Sequence, residues 1–209
     1  MTAHPYAPAS GFTLIELIIV MVLTAILAAA SVQPLVQTLS MRTHVDNNLK
    51  TIDNLGYATE RIVRELRQTY FDPVGGSGFQ LQPLNLTSSS GNTSGGLCLR
   101  RAGGNDGKNL ATIALRHSGS LISLDAATHF PGCAAVNPLT LADNATTLQF
   151  SYWTYGSGAQ ALALAVSDPG FAQKLHFIDM TVSLTNSIGA PISHTTRVVL
   201  RNGAWGAAK

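Results

Sequence analysis

Charged side chains are scarce in this sequence of 209 residues. Asp, Glu, Lys and Arg together make up 11% of it, whereas roughly 25% is usual in a globular chain, and hydrophobic residues reach 45%. This composition excludes a charge-rich disordered protein. The 13 basic and 11 acidic side chains give a formal net charge of +2, and the basic ones are scattered along the chain. The charge therefore gives no support for nucleic-acid binding.

Motifs of common enzyme classes are also missing. The sequence has no HExxH, no GxSxG and no Walker loop, because its GGSG stretch lacks the following Gly-Lys-Ser/Thr. Asp179 lies between two apolar residues, and the histidines outside the N-terminal region occur singly at positions such as His117, His129, His176 and His194. Single histidines are usually hydrogen-bonded or exposed rather than catalytic. The sequence therefore predicts a protein that is not an enzyme and needs no cofactor.

Cysteine is limited to Cys98 and Cys133. No nearby CxxC or histidine spacing completes a zinc ligand set, and Asn105-Asp106-Gly107 lacks the spaced acidic ligands of a calcium loop, so we expect no metal. In an exported domain an even pair is more often bridged than free, and closing this loop would stabilise the fold by about 4 kcal/mol. Two buried thiols in a reducing compartment are the alternative.

Long apolar runs are limited to one stretch, which extends from Phe12 to Ala30 and contains no Lys or Arg. Its length approaches the roughly 20 residues that span a bilayer, so a membrane-spanning helix is predicted. Hydropathy alone leaves a cleaved secretion signal open, because residues 28–31 read Ala-Ala-Ala-Ser. Glu16 lies near the start of the run. A carboxylate costs about 2.5–3.5 kcal/mol at the bilayer centre, so Glu16 is either hydrated at the interface or functional.

The string Gly11-Phe12-Thr13-Leu14-Ile15-Glu16, followed at once by an apolar run, resembles the type III signal of type IV prepilins and type II secretion pseudopilins. The resemblance implies that a prepilin peptidase cuts between Gly11 and Phe12 and methylates Phe12. Residues 1–11 would then be a leader, although it lacks the Lys or Arg usual in such leaders. The resemblance also implies an assembly role for Glu16. One helical turn separates its carboxylate from the N-terminal amine that cleavage would create on Phe12. The carboxylate of one subunit could therefore pair with the amine of an adjacent subunit and fix the register between them.

An amphipathic pattern follows the apolar run. Apolar residues recur at three- and four-residue steps from Val45 to Tyr70, so we predict a nearly continuous helix from about Phe12 to Thr69, kinked at Pro34. Its apolar stripe is predicted to pack on a sheet rather than on a partner. Several charged residues lie near the end of this helix, and we predict that they form a solvated face rather than an anion site. They are Glu60, Arg61, Arg64, Glu65 and Arg67.

Strand patterns follow a Pro-, Gly- and Ser-rich shift at Phe71. The clearest alternation, from Ile178 to Leu184, predicts one buried sheet face. A hairpin loop is predicted at residues 103–107. The predicted strands are Gly96–Ala102, Leu110–His117, Ser120–Asp125, Thr147–Tyr155, Lys174–Thr185 and His194–Asn202. A long helix followed by strands predicts an α+β fold with an antiparallel sheet, and the resemblance implies the same pilin-like fold.

Four further strings resemble minor pilins of the MSHA pilus, of the O-type: residues 58–68, 141–153, 178–186 and 194–202. The J-type minor pseudopilin of type II secretion shares the helix ending and is the nearest alternative. The implied parts are the leader 1–11, a transmembrane and fibre-packing segment 12–36, an amphipathic segment 37–70 and a periplasmic or extracellular β-rich domain 71–209.

This resemblance implies a non-enzymatic subunit that helps to initiate or cap a pilus. Its implied location is the inner membrane and then the fibre. Its implied partners are prepilin peptidase, the major pilin, other minor pilins, the inner-membrane assembly platform and, before assembly, membrane lipid. A function of another class also stays open, namely a signal-anchored periplasmic binding domain that never polymerises and in which Glu16 is incidental.

Overall fold

The structure is a computed structural model, and it describes residues 12–72, 78–86, 91–103, 109–127, 130, 133–157 and 160–200. The chain forms two compact units, one ending at Asp46 and the other beginning at Asn47. A long first helix, α1 (Leu14–Arg67), contributes residues to both. The other elements belong to the second unit: β1 (Phe71–Asp72), β2 (Gly78–Phe79), β3 (Leu81–Leu86), β4 (Thr93–Gly103), β5 (Asn109–Ser118), β6 (Leu121–Ala127), β7 (Ala135–Ala142), β8 (Ala145–Tyr155), β9 (Ala161–Ala163), α2 (Phe171–Lys174), β10 (Phe177–Thr185) and β11 (Pro191–Val199).

Helix α1 is one uninterrupted element of 54 residues, as its apolar and then amphipathic pattern predicts. The carbonyl of Thr13 accepts hydrogen bonds from the backbone N–H groups of Glu16 and Leu17, at 3.1 and 3.3 Å, and so begins the helix. The helix continues through Pro34, which has no N–H to donate to the carbonyl of Ala30. The predicted helix over residues 12–69 is therefore confirmed to within two residues at each end.

Nine strands of the second unit form an antiparallel sheet within the described residues. Its order is β11-β10-β8-β4-β5-β6-β7, with β3 paired to β4 and β9 paired to β8. Strands β10 and β11 are joined by a tight turn and pair from Phe177 opposite Val199 to Thr185 opposite Pro191. Strands β1 and β2 form a separate pair. A long N-terminal helix followed by an antiparallel sheet is an α+β fold, and the predicted fold class is confirmed.

The core of the second unit lies between one sheet face and the last three turns of α1. Ala58, Ile62 and Leu66 are fully buried there, and they recur at four-residue steps that place them on one helix face. From the sheet, alternate residues of β10 meet them. These are Ile178, Met180, Val182 and Leu184, each at most 1% exposed. The predicted core face of this strand is therefore confirmed, whereas Ser183, which was predicted on the other face, is also buried.

The apolar stripe of α1 does not pack on the sheet along its whole predicted length. Leu49 and Ile52 remain 53% and 50% exposed, and burial begins only at Leu55, which is 6% exposed. The sequence prediction was wrong for these earlier turns, because periodicity shows which residues share a face but not where the sheet that covers the face begins. The two exposed residues form an uncovered continuation of the buried stripe.

Five strands were not predicted, namely β1, β2, β3, β7 and β9. Two of them contain a proline, Pro83 in β3 and Pro138 in β7. Proline lacks a donor for the ladder and argues against a central strand. Among the described residues, however, β7 is the last strand of the sheet and β3 pairs with β4 alone. The start of β10 was also predicted too early. Residues 171–174 form the short helix α2, and the strand begins at Phe177.

The predicted hairpin joining β4 and β5 is present as antiparallel pairing from Gly96 opposite Arg116 to Gly103 opposite Asn109. Residues 104–107 of the predicted loop lie outside the described residues. Gly96 is needed for this pairing, because a Cβ at this position would lie 2.9 Å from the carbonyl oxygen of Leu115. Close backbone approach thus explains a glycine in the middle of a strand.

Candidate functional site

The candidate site in the first unit is the apolar beginning of α1. Side chains from Phe12 to Met41 are exposed, Phe12 itself by 80%. No charged residue occurs between Leu17 and Met41. In the described part of the chain, α1 is the one helix long and apolar enough to cross a membrane. Gly11, the predicted cleavage residue, lies outside the described residues.

From Leu14 onward, the hydroxyl groups in this segment are satisfied inside the helix. The Oγ1 of Thr24 donates to the carbonyl of Val20 at 2.9 Å, and the Oγ of Ser31 donates to the carbonyl of Leu27 at 2.7 Å. Thr38 makes the same bond to Pro34 at 2.8 Å. In hydrocarbon no water is present to bond a free hydroxyl, so this arrangement suits a helix surrounded by lipid or by apolar side chains.

Glu16 is the one formally charged side chain between Phe12 and Met41. It lies in the first turn of α1, where the helix dipole favours an acid, and it is exposed. No side chain among the described residues bonds to its carboxylate. The geometry therefore leaves Glu16 available to a group outside the described chain, on an otherwise uncharged helix surface.

A buried carboxylate connects the end of α1 to the sheet. Glu65 is fully buried, and its Oε1 lies 2.9 Å from Arg61. Arg101 on β4 donates from its Nη1 to both carboxylate oxygens, at 3.1 and 2.9 Å. The expectation that Glu65 lies on a solvated helix face was wrong. Its charge can be buried because arginines from two elements surround it, and a residue 36 positions away gives no local signal in the sequence.

The remaining charged residues at the end of α1 are arranged largely as expected. Arg64 and Glu60 form an exposed pair one turn apart, at 3.5 Å. Such exposed pairs contribute little to stability. The described contacts therefore give no support for an anion site on this part of the helix.

The sheet face that does not pack on α1, here called the outer face, carries a second, smaller cluster. The disulfide Cys98–Cys133 and Ala114 form it. The two Cα atoms are 6.1 Å apart, within the range that a disulfide requires. Beside the disulfide, Arg116 on β5 donates to the carbonyl of Cys133 and lies 3.5 Å from the buried carboxylate of Asp125 on β6. These contacts attach the segment before β7 to the outer face of the sheet.

An aromatic cluster lies farther along the outer face, on β8, β10 and β11. Phe177 is fully buried there, stacked on Trp153 at a ring distance of 6.1 Å and covered by the Arg197 guanidinium at 4.2 Å. Arg197 also forms two hydrogen bonds with Asp179, at 2.7 and 2.8 Å, and these raise the pKa of the guanidinium. Asp179 was expected to face solvent or pair locally, and it pairs with the neighbouring strand.

Two histidines also have local partners. The ring of His117 lies 3.3 Å from the carbonyl of Ala145, and His176 lies 2.8 Å from the carbonyl of Lys174. His194 is exposed on β11, and His129 lies outside the described residues. Within the described ranges, no three His, Cys, Asp or Glu side chains are grouped so that they could hold a metal ion.

Comparison with known protein families gives one match. The family model described as the prokaryotic N-terminal methylation motif matches residues 7–32, which include Gly11, Phe12 and Glu16. No curated protein matches the chain. The matched range is a small part of the 209 residues and coincides with the start of the exposed apolar helix.

This motif supports a subunit of the type IV pilin or pseudopilin type, a class of structural proteins that prepilin peptidase processes and that assemble into pilus-like fibres. The apolar helix and the motif together support a membrane-anchored member of that class. The sequence analysis predicted the same class from these residues. It did not find the ion cluster around Glu65, because that cluster depends on contacts between distant positions.

Proposed function

We propose that this chain is a minor type IV pilin of the MSHA type, a non-enzymatic subunit that helps to initiate or cap a pilus. The observation that carries the proposal is an exposed apolar segment, from Phe12 to Met41, that begins within the matched methylation motif and bears a single charged side chain, Glu16. A surface of this kind is stable only when lipid or other apolar helices cover it.

Before assembly, segment 12–36 spans the inner membrane and segment 37–70 continues the helix into the β-rich domain 71–209. The satisfied hydroxyls of Thr24 and Ser31 suit hydrocarbon. The disulfide between Cys98 and Cys133 suits an oxidising compartment, so the β-rich domain lies in the periplasm. Prepilin peptidase then removes residues 1–11 and methylates Phe12.

During assembly, the inner-membrane platform transfers the subunit from lipid to the fibre, where the major pilin and other minor pilins replace lipid around its apolar helix. The carboxylate of Glu16 pairs with the N-terminal amine of an adjacent subunit and sets the register. Either charge left alone in an apolar bundle would cost several kcal/mol, so a subunit at the wrong height is disfavoured.

The MSHA assignment has support from strings that build the core of the second unit. Residues 58–68 contain most of the buried residues of α1, 141–153 contain most of β8 and 178–186 contain most of β10. Core residues that resemble those of MSHA minor pilins favour the same fold as those pilins. A J-type minor pseudopilin of a type II secretion system would need similar core residues, so the strings alone do not separate the two roles. Deleting the gene separates the two roles, because loss of pili supports the first and loss of protein secretion supports the second.

Intact-protein and N-terminal peptide mass spectrometry tests the proposed class directly. The full chain is expressed together with prepilin peptidase. We expect a mature protein that begins with N-methylated Phe12, and an uncleaved chain when Gly11 is replaced by a charged residue. A wild-type chain that keeps Met1, or one that begins near Ser31, would contradict the proposal. Either result would favour a signal-anchored or secreted binding domain.

Replacement of Glu16 tests the assembly step. Glu16→Ala is expected to leave cleavage at Phe12 largely intact but to reduce co-purification with neighbouring subunits, because the buried amine loses its partner. Asp53→Ala, which removes an exposed acid of the second unit, is the matched control and should leave recovery unchanged. Normal assembly of the Glu16→Ala subunit would remove the register argument.

A further inference from the structure

A groove of about 280 Å³ lies in the second unit beside α1, at the exposed edge of the sheet. Ile52, Leu55, Gly56 and Thr59 line it from the helix, and His194 of β11 closes it on the sheet side. Ile52 is half exposed. Glu60 adds a polar rim to a mainly apolar floor, the composition expected of a protein interface.

Gly56 has no role that the chain itself explains. It occupies the interior of α1, where glycine is about 1 kcal/mol less favourable than alanine. A Cβ at this position would meet no atom within 4 Å, and the backbone does not adopt a left-handed conformation there. Packing within the chain therefore does not require glycine. An open glycine on a helix allows the backbone of another helix to approach closely.

Thr59 carries a hydroxyl that has no hydrogen-bond partner among the described residues. Its side chain is only 8% exposed, and its Oγ1 is buried without a hydrogen bond. The other Ser and Thr residues of α1 all donate to a carbonyl of the preceding turn; they are Thr24, Ser31, Thr38, Ser40, Thr43 and Thr51. A buried unpaired hydroxyl is costly, so an acceptor supplied by a bound partner would recover that cost.

The apolar segment of α1 has the chemistry that would complement this groove, so it indicates what kind of partner the groove could bind. Its stretch from Ala25 to Pro34 contains small side chains at Ala28, Ala29 and Ala30, and Pro34 leaves the carbonyl of Ala30 without its helical donor. A helix of this composition offers a narrow apolar face for Gly56 and a free acceptor for Thr59. The same surface needs a protein cover once it leaves lipid.

We propose that the groove binds the apolar helix of a second pilin-type subunit, at a stretch of small residues that ends in a proline, as residues 25–34 do in this chain. Gly56 receives the small side chains, Ile52 packs on the helix flank, and the Thr59 hydroxyl donates to the carbonyl freed by the proline. This inference rests on the proposed function, because it needs subunits that leave the membrane and assemble.

Site-specific photo-crosslinking tests the groove. The full chain carries benzoylphenylalanine in place of Ile52 and is produced in cells that contain the other subunits and prepilin peptidase. Mass spectrometry should identify the captured peptide as the apolar N-terminal segment of a methylated subunit. The control carries the same group in place of Tyr57, which is 57% exposed and lies outside the groove lining, and should not capture that segment.

Two variants separate binding from folding when combined with the Ile52 crosslinker. Gly56→Ala should raise the melting temperature of the second unit, because alanine favours helix, yet lower the crosslink yield by narrowing the groove. Thr59→Val should leave the melting temperature unchanged or higher and lower the yield about two- to tenfold, the loss of one hydrogen bond. A purely structural role for these residues would not produce opposite changes.

Several results would overturn the inference. These are capture of lipid or of a β-rich domain alone, equal capture from positions 52 and 57, or yields unchanged in both variants. The state of Phe12 in the same sample shows which proposal has failed. Methylated Phe12 with no captured helix refutes the groove alone, whereas an unprocessed chain refutes the pilin proposal and the groove with it.

Discussion

Two stretches of the same helix, both rich in apolar residues, meet opposite environments. Ile26, in the first unit, is 59% exposed, whereas Ile62, in the second, is fully buried. The first stretch is apolar on every side and has no preferred face, but the second has apolar residues on one face at helical spacing. The comparison shows that an apolar composition predicts surface that something must bury. Periodicity indicates which face the chain itself can bury, and the extent of the sheet decides which turns of that face it does bury.

The hydrogen-bond partners of polar groups also differ between the two stretches. In the first, each hydroxyl bonds to the carbonyl of its own preceding turn, as in Thr24 and Ser31. In the second, Glu65 depends on Arg101 from the sheet. The first stretch is thus internally satisfied and suited to changing its surroundings. The second is fixed by bonds to other elements.

The largest expected effect comes from placing the same charge in each stretch. Ile62→Asp puts an unpaired carboxylate into the core and should cost more than about 4 kcal/mol, enough to abolish cooperative unfolding of the second unit. Ile26→Asp should leave that unit within about 0.5 kcal/mol but weaken membrane insertion by about 3 kcal/mol. Near-ultraviolet circular dichroism in detergent and membrane fractionation measure the two effects. Equal losses of stability in both variants would break the comparison.

The next largest effect should come from loss of the disulfide. It should destabilise the second unit by about 4 kcal/mol, as the chain-entropy estimate gives for a bridge between residues 35 positions apart. The double variant Cys98→Ala with Cys133→Ala, and wild-type protein treated with dithiothreitol, should shift the urea midpoint alike. The helix content of the first unit should not change in either sample. A midpoint insensitive to dithiothreitol would show that the contacts of Arg116 and the core hold the outer face without the bridge.

Removal of the buried carboxylate should have a slightly smaller effect. Glu65→Ala leaves two arginines without their partner, but their side chains are 28% and 31% exposed and water solvates them in part, so the cost should lie toward the lower end of about 3–5 kcal/mol. Urea unfolding followed by tryptophan fluorescence measures the change. Glu60→Ala, five positions earlier and exposed, should stay within about 1 kcal/mol. A cost for Glu65→Ala as small as that of its control would mean that helix packing alone holds α1 on the sheet.

The elements that the sequence predicts well are those whose signals are local. The helix limits follow from the apolar run and the later periodicity, and β10 follows from the alternation at Ile178, Met180 and Val182. The processing motif around Phe12 and Glu16 is contiguous, so the candidate site in the first unit was found from the sequence.

Contacts between distant positions account for what the sequence does not predict. Glu65 resembles any helix-surface acid until Arg101 is placed beside it. The exposure of Leu49 and Ile52 depends on where the sheet begins. Likewise, the proline in β7 argues against a strand until the strand is known to lie at the edge. The topology of the sheet determines each of these features, and a local sequence pattern does not predict that topology.

The smallest expected effect concerns one buried hydroxyl, and its pH dependence sharpens the contrast between fixed and free polar groups. The phenol of Tyr152, fully buried on β8, lies 2.5 Å from the Oγ of Ser94, which donates to the carbonyl of Gly96 at 2.8 Å. Tyr152→Phe removes the first of these bonds and should cost about 1 kcal/mol near neutral pH. Urea midpoints measure this cost.

Burial raises the pKa of Tyr152 above its ordinary value, so the folded state keeps the phenol protonated where the unfolded state ionises it. The stability contributed by the neutral phenol is complete below about pH 10 and falls as the pH rises further, by up to about 1.4 kcal/mol per pH unit. The cost of Tyr152→Phe should therefore shrink and then reverse between about pH 10 and pH 11. Tyr155→Phe, at a position 45% exposed, is the control and should keep the wild-type slope. A pH-independent cost for Tyr152→Phe would mean that water reaches this phenol, and that the core beneath the last turns of α1 opens more readily than its fixed contacts indicate.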